Sequence, residues 1–309
     1  MIQVRNLVKR YGDLVALDHF DLDVRKGEIF GLLGPNGSGK TTAINCMLSL
    51  LKYSKGEVNL FGETMRPDNY SLKIRIGIVM QNVAVFNELT VVENIDYFCG
   101  LYVPEKEARK RLVDEAIEFT GLGDFRKFLP KKLSGGLLRR LNIACGIAHK
   151  PELIFLDEPT VAVDPQSRNH ILEGIRELNR GGATVIYTSH YMEEVEQLCS
   201  RIMIMDKGKA IATGTTDELK AMIRTGEKLT VELYALPDSV LEEVRGISGI
   251  YQADYSDGVL TARYAADGRH LISVLDVLRR CNVQFGCVTS EPPTLNDVFL
   301  EITGKELKD

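Results

Sequence analysis

Residues 2–8 and 17–24 alternate apolar and polar positions, with Phe20, Leu22 and Val24 on one face, as half-buried strands do. GEIFGLLG (27–34) is a short, continuous apolar run closed by glycine, the pattern of a strand covered on both faces. A helix is expected from Lys40 through Ile44, Met47, Leu48 and Leu51, then strands at 56–61 and 76–81, the last closing on Gln81. Residues 90–150 change character and read as several helices, punctuated by Pro104 and Pro130. Buried strands return at LIFLDE (153–158), TVIYTSH (184–190) and RIMIMD (201–206), with a helix after Pro165 and a short one before 201. Such alternation predicts an α/β unit with a mostly parallel, helix-flanked sheet, into which the 90–150 stretch is inserted.

A second unit begins near residue 228. LTVELYA alternates, and Val240, Leu241, Val244 and Ile247 form a helical stripe. Strands are expected at 250–256 and 259–265, a helix through Leu271, Val274, Leu275 and Leu278, and a strand over VQFGCVT. Leu295, Val298, Phe299 and Ile302 recur at the spacing of a last amphipathic helix. The order βαββαβ plus a terminal helix predicts a small α+β split-βαβ sandwich.

A chain of 309 residues suffices for two such cores. Its net charge of -5 weighs against a nucleic-acid partner, and none is expected. No apolar run of roughly 18 residues is present to span a bilayer. The opening MIQVRNLVKRYG lacks the apolar stretch of a secretory signal. Cysteines 46, 99, 145, 199, 281 and 287 form no CxxC pair and read as small core residues in a reducing compartment.

GPNGSGKT (34–41) matches G-x-x-x-x-G-K-[ST] between a predicted strand and a predicted helix, which is the setting of a phosphate-binding loop. Gly34, Asn36, Gly37, Ser38, Gly39 and Thr42 belong to that cradle, in which glycines let backbone amides wrap phosphate oxygens. Lys40 is placed to reach between the β- and γ-phosphates, and Thr41 to offer its hydroxyl to Mg²⁺. LIFLDE supplies the acids at a strand end: Asp157 to hold Mg²⁺ through water, Glu158 to polarise an attacking water. KLSGG (132–136) puts Ser134, Gly135 and Gly136 before an apolar helix-forming run, a second anion-binding arrangement in the same chain.

The ordered set Tyr11, GPNGSGKTT (34–42), Gln81, LSGG (133–136), LIFLDEPT (153–160), Asp164 and His190 resembles the ATP-binding cassette family, the nucleotide-binding domains of ABC transporters. The resemblance covers residues 1–225 and implies a P-loop cassette: a mostly parallel core, an antiparallel N-terminal β-subdomain and a helical subdomain at about 82–150. Residues 226–309 would form the C-terminal accessory domain. It further implies an ATPase that works as a head-to-tail homodimer, with ATP and Mg²⁺ on one P-loop covered by the partner's LSGG. By position, Tyr11 resembles the aromatic that stacks on adenine, and Gln81 the residue that senses Mg²⁺ and water. His190 resembles the switch histidine that reaches the γ-phosphate, and Asp164 the aspartate that runs along the dimer interface. Two departures stand out: Leu137 where a polar residue usually follows LSGG, and TVAVD (160–164), which lacks the usual small polar residue.

The tail EPPTLNDVFLEITGKEL (291–307) resembles the daunorubicin-resistance group of ABC-2 exporters. That implies an integral-membrane ABC-2 permease on a separate chain and a peripheral place at the cytoplasmic face of the membrane. In the family, the region of residues 82–95 receives the permease's coupling helix; Val85 and Phe86 there read equally as subdomain core. The rival reading is a soluble, non-transport cassette ATPase acting on nucleic acid or ribosomes. One cassette and an acidic balance count against it. Glu158 and His190 count against a third reading, a regulatory module without turnover.

Overall fold

The computed structural model of the protein describes residues 1–223, 226–264 and 270–304. The chain divides into two compact units, the first holding residues 1–215 and the second beginning at Thr216. The expected boundary at 225 touches residues 224–225, which lie outside the described residues, as do residue 265 of an expected strand and 305–307 of the quoted tail.

In the first unit, β1 (Ile2–Tyr11), β2 (Leu14–Val24) and β3 (Ile29–Leu33) precede helix α1 (Lys40–Met47). Then come β4 (Lys55–Leu60), β5 (Glu63–Thr64), α2 (Tyr70–Lys73) and β6 (Ile76–Val79). Three helices follow: α3 (Val91–Gly100), α4 (Lys106–Phe119) and α5 (Gly135–Ile147). The unit ends with β7 (Leu153–Asp157), α6 (Pro165–Arg180), β8 (Thr184–Ser189), α7 (Met192–Leu198), β9 (Arg201–Asp206) and β10 (Lys209–Gly214).

The strands form two sheets. The order β10-β9-β3-β8-β7-β6 is parallel except for the edge strand β10, which runs antiparallel to β9. The order β2-β1-β4-β5 is antiparallel. Strands β3, β7 and β8 are buried along their whole length, as continuous apolar runs require. In β2 the alternation holds, and Phe20, Leu22 and Val24 are buried together. A single core joins both sheets to α1 through Phe30, Leu32, Phe155 and Ile186 with Ile2, Val4, Ala43 and Ile44. The inserted helices have their own core, built on Val91, Ile95, Val113, Ile117 and Leu141. This arrangement carries the loops after β3, β6, β7 and β8 to one end of the parallel sheet, its carboxyl end, where ligands of such sheets bind.

Several boundaries depart from the periodic pattern. Helix α1 ends at Met47 rather than running through Leu51, because Ser49 takes a left-handed backbone (φ 54°) and Leu50 and Leu51 both donate back to the Asn45 carbonyl. Strand β6 stops at Val79, so Gln81 lies beyond the strand it was expected to close. Strand β10 was not anticipated, since its residues are mostly exposed and carry no clear apolar face. Four cysteines are buried, but Cys281 is half-buried and Cys287 exposed, which corrects the reading of all six as core; none is disulfide-bonded.

The second unit holds α8 (Thr216–Ala221), β11 (Lys228–Leu233), α9 (Asp238–Arg245), β12 (Ile250–Ser256) and β13 (Val259–Tyr264). It ends with α10 (His270–Arg280), β14 (Phe285–Glu291) and α11 (Leu295–Thr303). The sheet order β12-β13-β11-β14 is antiparallel throughout, the topology of a split βαβ unit. Val231, Leu260 and Ala262 on the sheet pack with Val240 and Val244 of α9 and Val274 and Leu278 of α10. Helix α11 starts with a capping box, Thr294 with Asp297, and Asp297 also accepts a 2.7 Å bond from Arg263 of β13.

Candidate functional site

The loop between β3 and α1 is shaped by residues without side chains. Gly37 and Gly39 have φ of 80° and 108°, and a Cβ on Gly39 would approach the Ala16 carbonyl to 2.8 Å. Gly39 also occupies the N-cap of α1, so no side chain caps that helix and its first turn carries no acid. Its free amides and the positive end of its dipole are left for an anion.

Lys40 is 5% exposed and turns back into the loop, donating to the carbonyls of Gly34 (2.7 Å) and Pro35 (3.2 Å). Its ammonium lies 3.4 Å from Glu158 Oε1. Burial lowers the Lys40 pKa below 10.5, and the Glu158 charge opposes that shift. Glu158 is itself 4% exposed, and its second oxygen accepts a 2.7 Å bond from His190 Nδ1. The three side chains therefore form a chain of lysine, carboxylate and imidazole.

The backbone explains why two adjacent acids point to different tasks. Asp157 ends β7, whereas Glu158 takes a left-handed conformation (φ 49°) that swings its side chain out of line with the strand. One hydroxyl holds both: Thr188 Oγ1 accepts from the Glu158 amide at 3.0 Å and donates to Asp157 Oδ1 at 2.6 Å. The other Asp157 oxygen accepts from Thr41 Oγ1 at 2.8 Å. The Thr41 hydroxyl, the Asp157 carboxylate and the side-chain oxygen of Gln81, which lines the same cleft, are hard oxygen donors of the kind Mg²⁺ takes, alongside phosphate and water. No cluster of three or more His, Cys, Asp or Glu that could hold a metal exists among the described residues. The residues thus fit Mg²⁺.

A cleft of about 720 Å³ opens over the loop. Of the expected residues, Tyr11, Asn36, Gly37, Gly39, Lys40, Thr41, Thr42, Gln81 and Glu158 line it. Tyr11, at the end of β1, is 46% exposed with the Lys9 ammonium over its ring at 4.5 Å. Gly34 and the buried Ser38 lie beneath the loop rather than in the cleft lining; a Cβ on Gly34 would approach Ser38 Oγ to 2.7 Å. His190 and Asp157 reach the cleft through Glu158 and Thr41.

Ser134, Gly135, Gly136 and Asp164 are not among the residues lining this cleft. Ser134 is exposed and N-caps α5, its Oγ accepting from the Leu137 amide at 3.3 Å. Asp164 N-caps α6, accepting from the Ser167 amide at 2.9 Å. The two caps adjoin: a Cβ on Gly136 would lie 3.0 Å from Asp164 Oδ2 and still closer to Ser167 Oγ. Crowding alone therefore favours glycine at 136. Leu137, the unusual residue after the motif, is half-buried and packs on the core of the inserted helices.

Residues 17–161 match the family described as ABC transporter. The chain is 36% identical over 323 residues to the linearmycin resistance ATP-binding protein LnrL of Bacillus subtilis (strain 168), covering 100% of both. The chain belongs to the ABC transporter family. A second relative of this cassette, the daunorubicin/doxorubicin resistance ATP-binding protein DrrA of Streptomyces peucetius, is 35% identical over 313 residues, covering 100% of this chain and 94% of DrrA. A solved dimeric ATP-binding cassette in a post-hydrolysis state, bound to ADP and Pi, superposes with a TM-score of 0.64 at 28% identity, covering 70% of this chain and 98% of that one. The cassette is accordingly an ATPase with the P-loop fold its sequence implied.

Sequence reasoning missed part of the cleft. Leu14, Val15 and Ala16 of β2 and the turn residues Lys207 and Gly208 line it too. Gly208 ties that turn in place, donating to the Ser38 carbonyl at 2.9 Å and accepting from the Asp18 amide at 3.0 Å. No local motif marks this contact, because three segments distant in sequence create it.

Proposed function

We propose that this cassette energises an ABC-2 type exporter by ATP-driven closure of two copies, each completing the other's site. The exporter reading is supported by relatives matched over nearly their whole length, which are resistance and Nod factor export ATP-binding proteins. The observation that supports closure is the separation of the two anion sites: the P-loop opens into the cleft, while Ser134 and Asp164 form an exposed patch that does not line it. A two-fold pair of such faces is self-complementary.

The chain of Lys40, Glu158 and His190 supports a sequence of events. Phosphate oxygens are better acceptors for an ammonium than the carbonyls of Gly34 and Pro35, so ATP draws Lys40 away from Glu158. Glu158 Oε1 is then free to accept a proton from the attacking water, while His190 keeps Oε2 oriented. Thr41, Asp157 and Gln81 would hold Mg²⁺, which would supply charge neutralisation for the phosphates. Tyr11 and the apolar Leu14–Ala16 edge receive the adenine.

No helix among the described residues is long and apolar enough to cross a membrane. In this proposal the transport path is a separate ABC-2 permease that holds the subunit at the cytoplasmic face. Phe86 (41% exposed) and Tyr97 (48% exposed) meet edge-to-face at 4.8 Å and offer that permease an aromatic surface; Val85 instead packs on the helical core. The test is co-purification with any multi-helix membrane protein encoded beside it, followed by ATPase measurement in vesicles with candidate drugs or lipids. Cargo-stimulated turnover is expected. Turnover indifferent to the permease and to every cargo class would count against the exporter reading.

A further inference from the structure

Glu194 is an acid of the short helix α7, yet it is 3% exposed. Its Oε2 accepts three hydroxyl bonds, from Tyr187 (2.6 Å), Thr160 (2.8 Å) and Ser189 (3.2 Å). Its Oε1 lies 3.2 Å from Arg168 Nε, close enough for an ion pair although the N–H is not aimed at the oxygen. Burying a carboxylate at a position that packing alone could fill is costly unless several donors compensate it. The donors identify what the carboxylate holds.

Thr160 belongs to the loop that begins at Glu158 and ends at Asp164. Ser189 immediately precedes His190, and Ser189 Oγ also accepts from the Tyr191 amide at 2.9 Å. The Tyr191 ring stands 4.2 Å from the His190 ring and 4.8 Å from the Arg168 guanidinium, which comes from α6. The backbone on both sides of His190 is therefore anchored to the same carboxylate that anchors the loop after Glu158.

We infer that Glu194 is a positioning residue that couples the loop 158–164 to the turn carrying His190. A displacement of the loop at Asp164 is transmitted through Thr160 and Glu194 to Ser189, and so to the imidazole on Glu158. The inference deepens the functional reading above and rests on it for the role of His190. The coupling itself is a property of the nucleotide-free chain.

The experiment is hydrogen–deuterium exchange on the nucleotide-free chain, followed by steady-state ATPase. Thr160→Val removes one donor with little change in shape, and Thr160→Ser restores it. Thr160→Val is expected to speed amide exchange in residues 189–192 at least threefold, although the substitution lies in the other segment. It should also lower kcat fivefold or more while KM for ATP stays within twofold, and Thr160→Ser should recover both. Glu194→Gln is expected to loosen both segments together. Unchanged exchange at 189–192 in Thr160→Val, or failure of Thr160→Ser to recover it, overturns the coupling. If exchange is coupled but Thr160→Val turns over like the parent while His190→Ala does not, the positioning role fails and the role of His190 stands. Full turnover by His190→Ala would instead remove the functional reading and leave the coupling.

Discussion

Lys40 and Glu158 face each other across 3.4 Å with both side chains 5% exposed. On the proposed function, the ammonium that grips phosphate thus rests on the carboxylate that takes a proton. Lys40→Ala removes the charge-assisted bonds to the nucleotide, each worth about 1.5–3 kcal/mol. It is expected to weaken ATP binding by roughly a hundredfold or more, read by titration of a fluorescent nucleotide. Retention of parental affinity would contradict the site.

Ser134 acts in trans in this account. Mixing Lys40→Ala chains with Ser134→Arg chains places both lesions in one composite site of each heterodimer and leaves the other intact. ATPase activity of the mixture should exceed that of either variant alone. Activity no greater than the two separate rates would argue that Ser134 serves its own chain.

Lys207 lines the nucleotide cleft from the turn between β9 and β10, beside Gly208 and the Ala16 edge. Its place beside the Leu14–Ala16 edge, which receives the adenine in the proposed function, predicts equal contributions to ATP and ADP binding. Lys207→Ala should weaken both about fivefold, an effect of the size of an exposed charge contact, and less in high salt. Parallel titrations at two ionic strengths check this.

His149 stacks on Tyr102 at 3.9 Å and approaches the Ile76 carbonyl with Nε2 at 3.1 Å, while its buried Nδ1 finds no partner. A carbonyl only accepts, so Nε2 carries the proton, and a second proton on Nδ1 would have no acceptor. Burial therefore lowers its pKa below 6.5, partly offset by the Ile76 bond. With the folded value below the unfolded one, the unfolded chain binds the extra proton first. This contribution is complete above pH 6.5 and is lost as pH falls below it, at up to about 1.4 kcal/mol per pH unit. Melting temperatures between pH 7.5 and 5.5 should fall more steeply for the parent than for His149→Phe.

The continuous apolar strands and the phosphate loop were legible because each is local, an apolar run or a glycine and a lysine at fixed spacing; the exposed edge strand β10 has no such signal. The βαββαβ order of the second unit was legible for the same reason, since its periods switch cleanly between two and 3.6. The early end of α1 was not, because Leu48 continues the apolar stripe while Ser49 turns the backbone. Lys207 and Glu194 were invisible for another reason. One looks like a turn lysine and the other like a surface acid of a short helix, until β2, β8 and the loop after Glu158 come together around them.

On the proposed function ATP joins two copies of this chain, and Glu158→Gln isolates that step. That variant keeps the cleft and removes the base, so sedimentation or light scattering with Mg²⁺ and ATP should convert it from monomer to dimer, and ADP should not. A variant that binds ATP to saturation and stays monomeric would contradict the account.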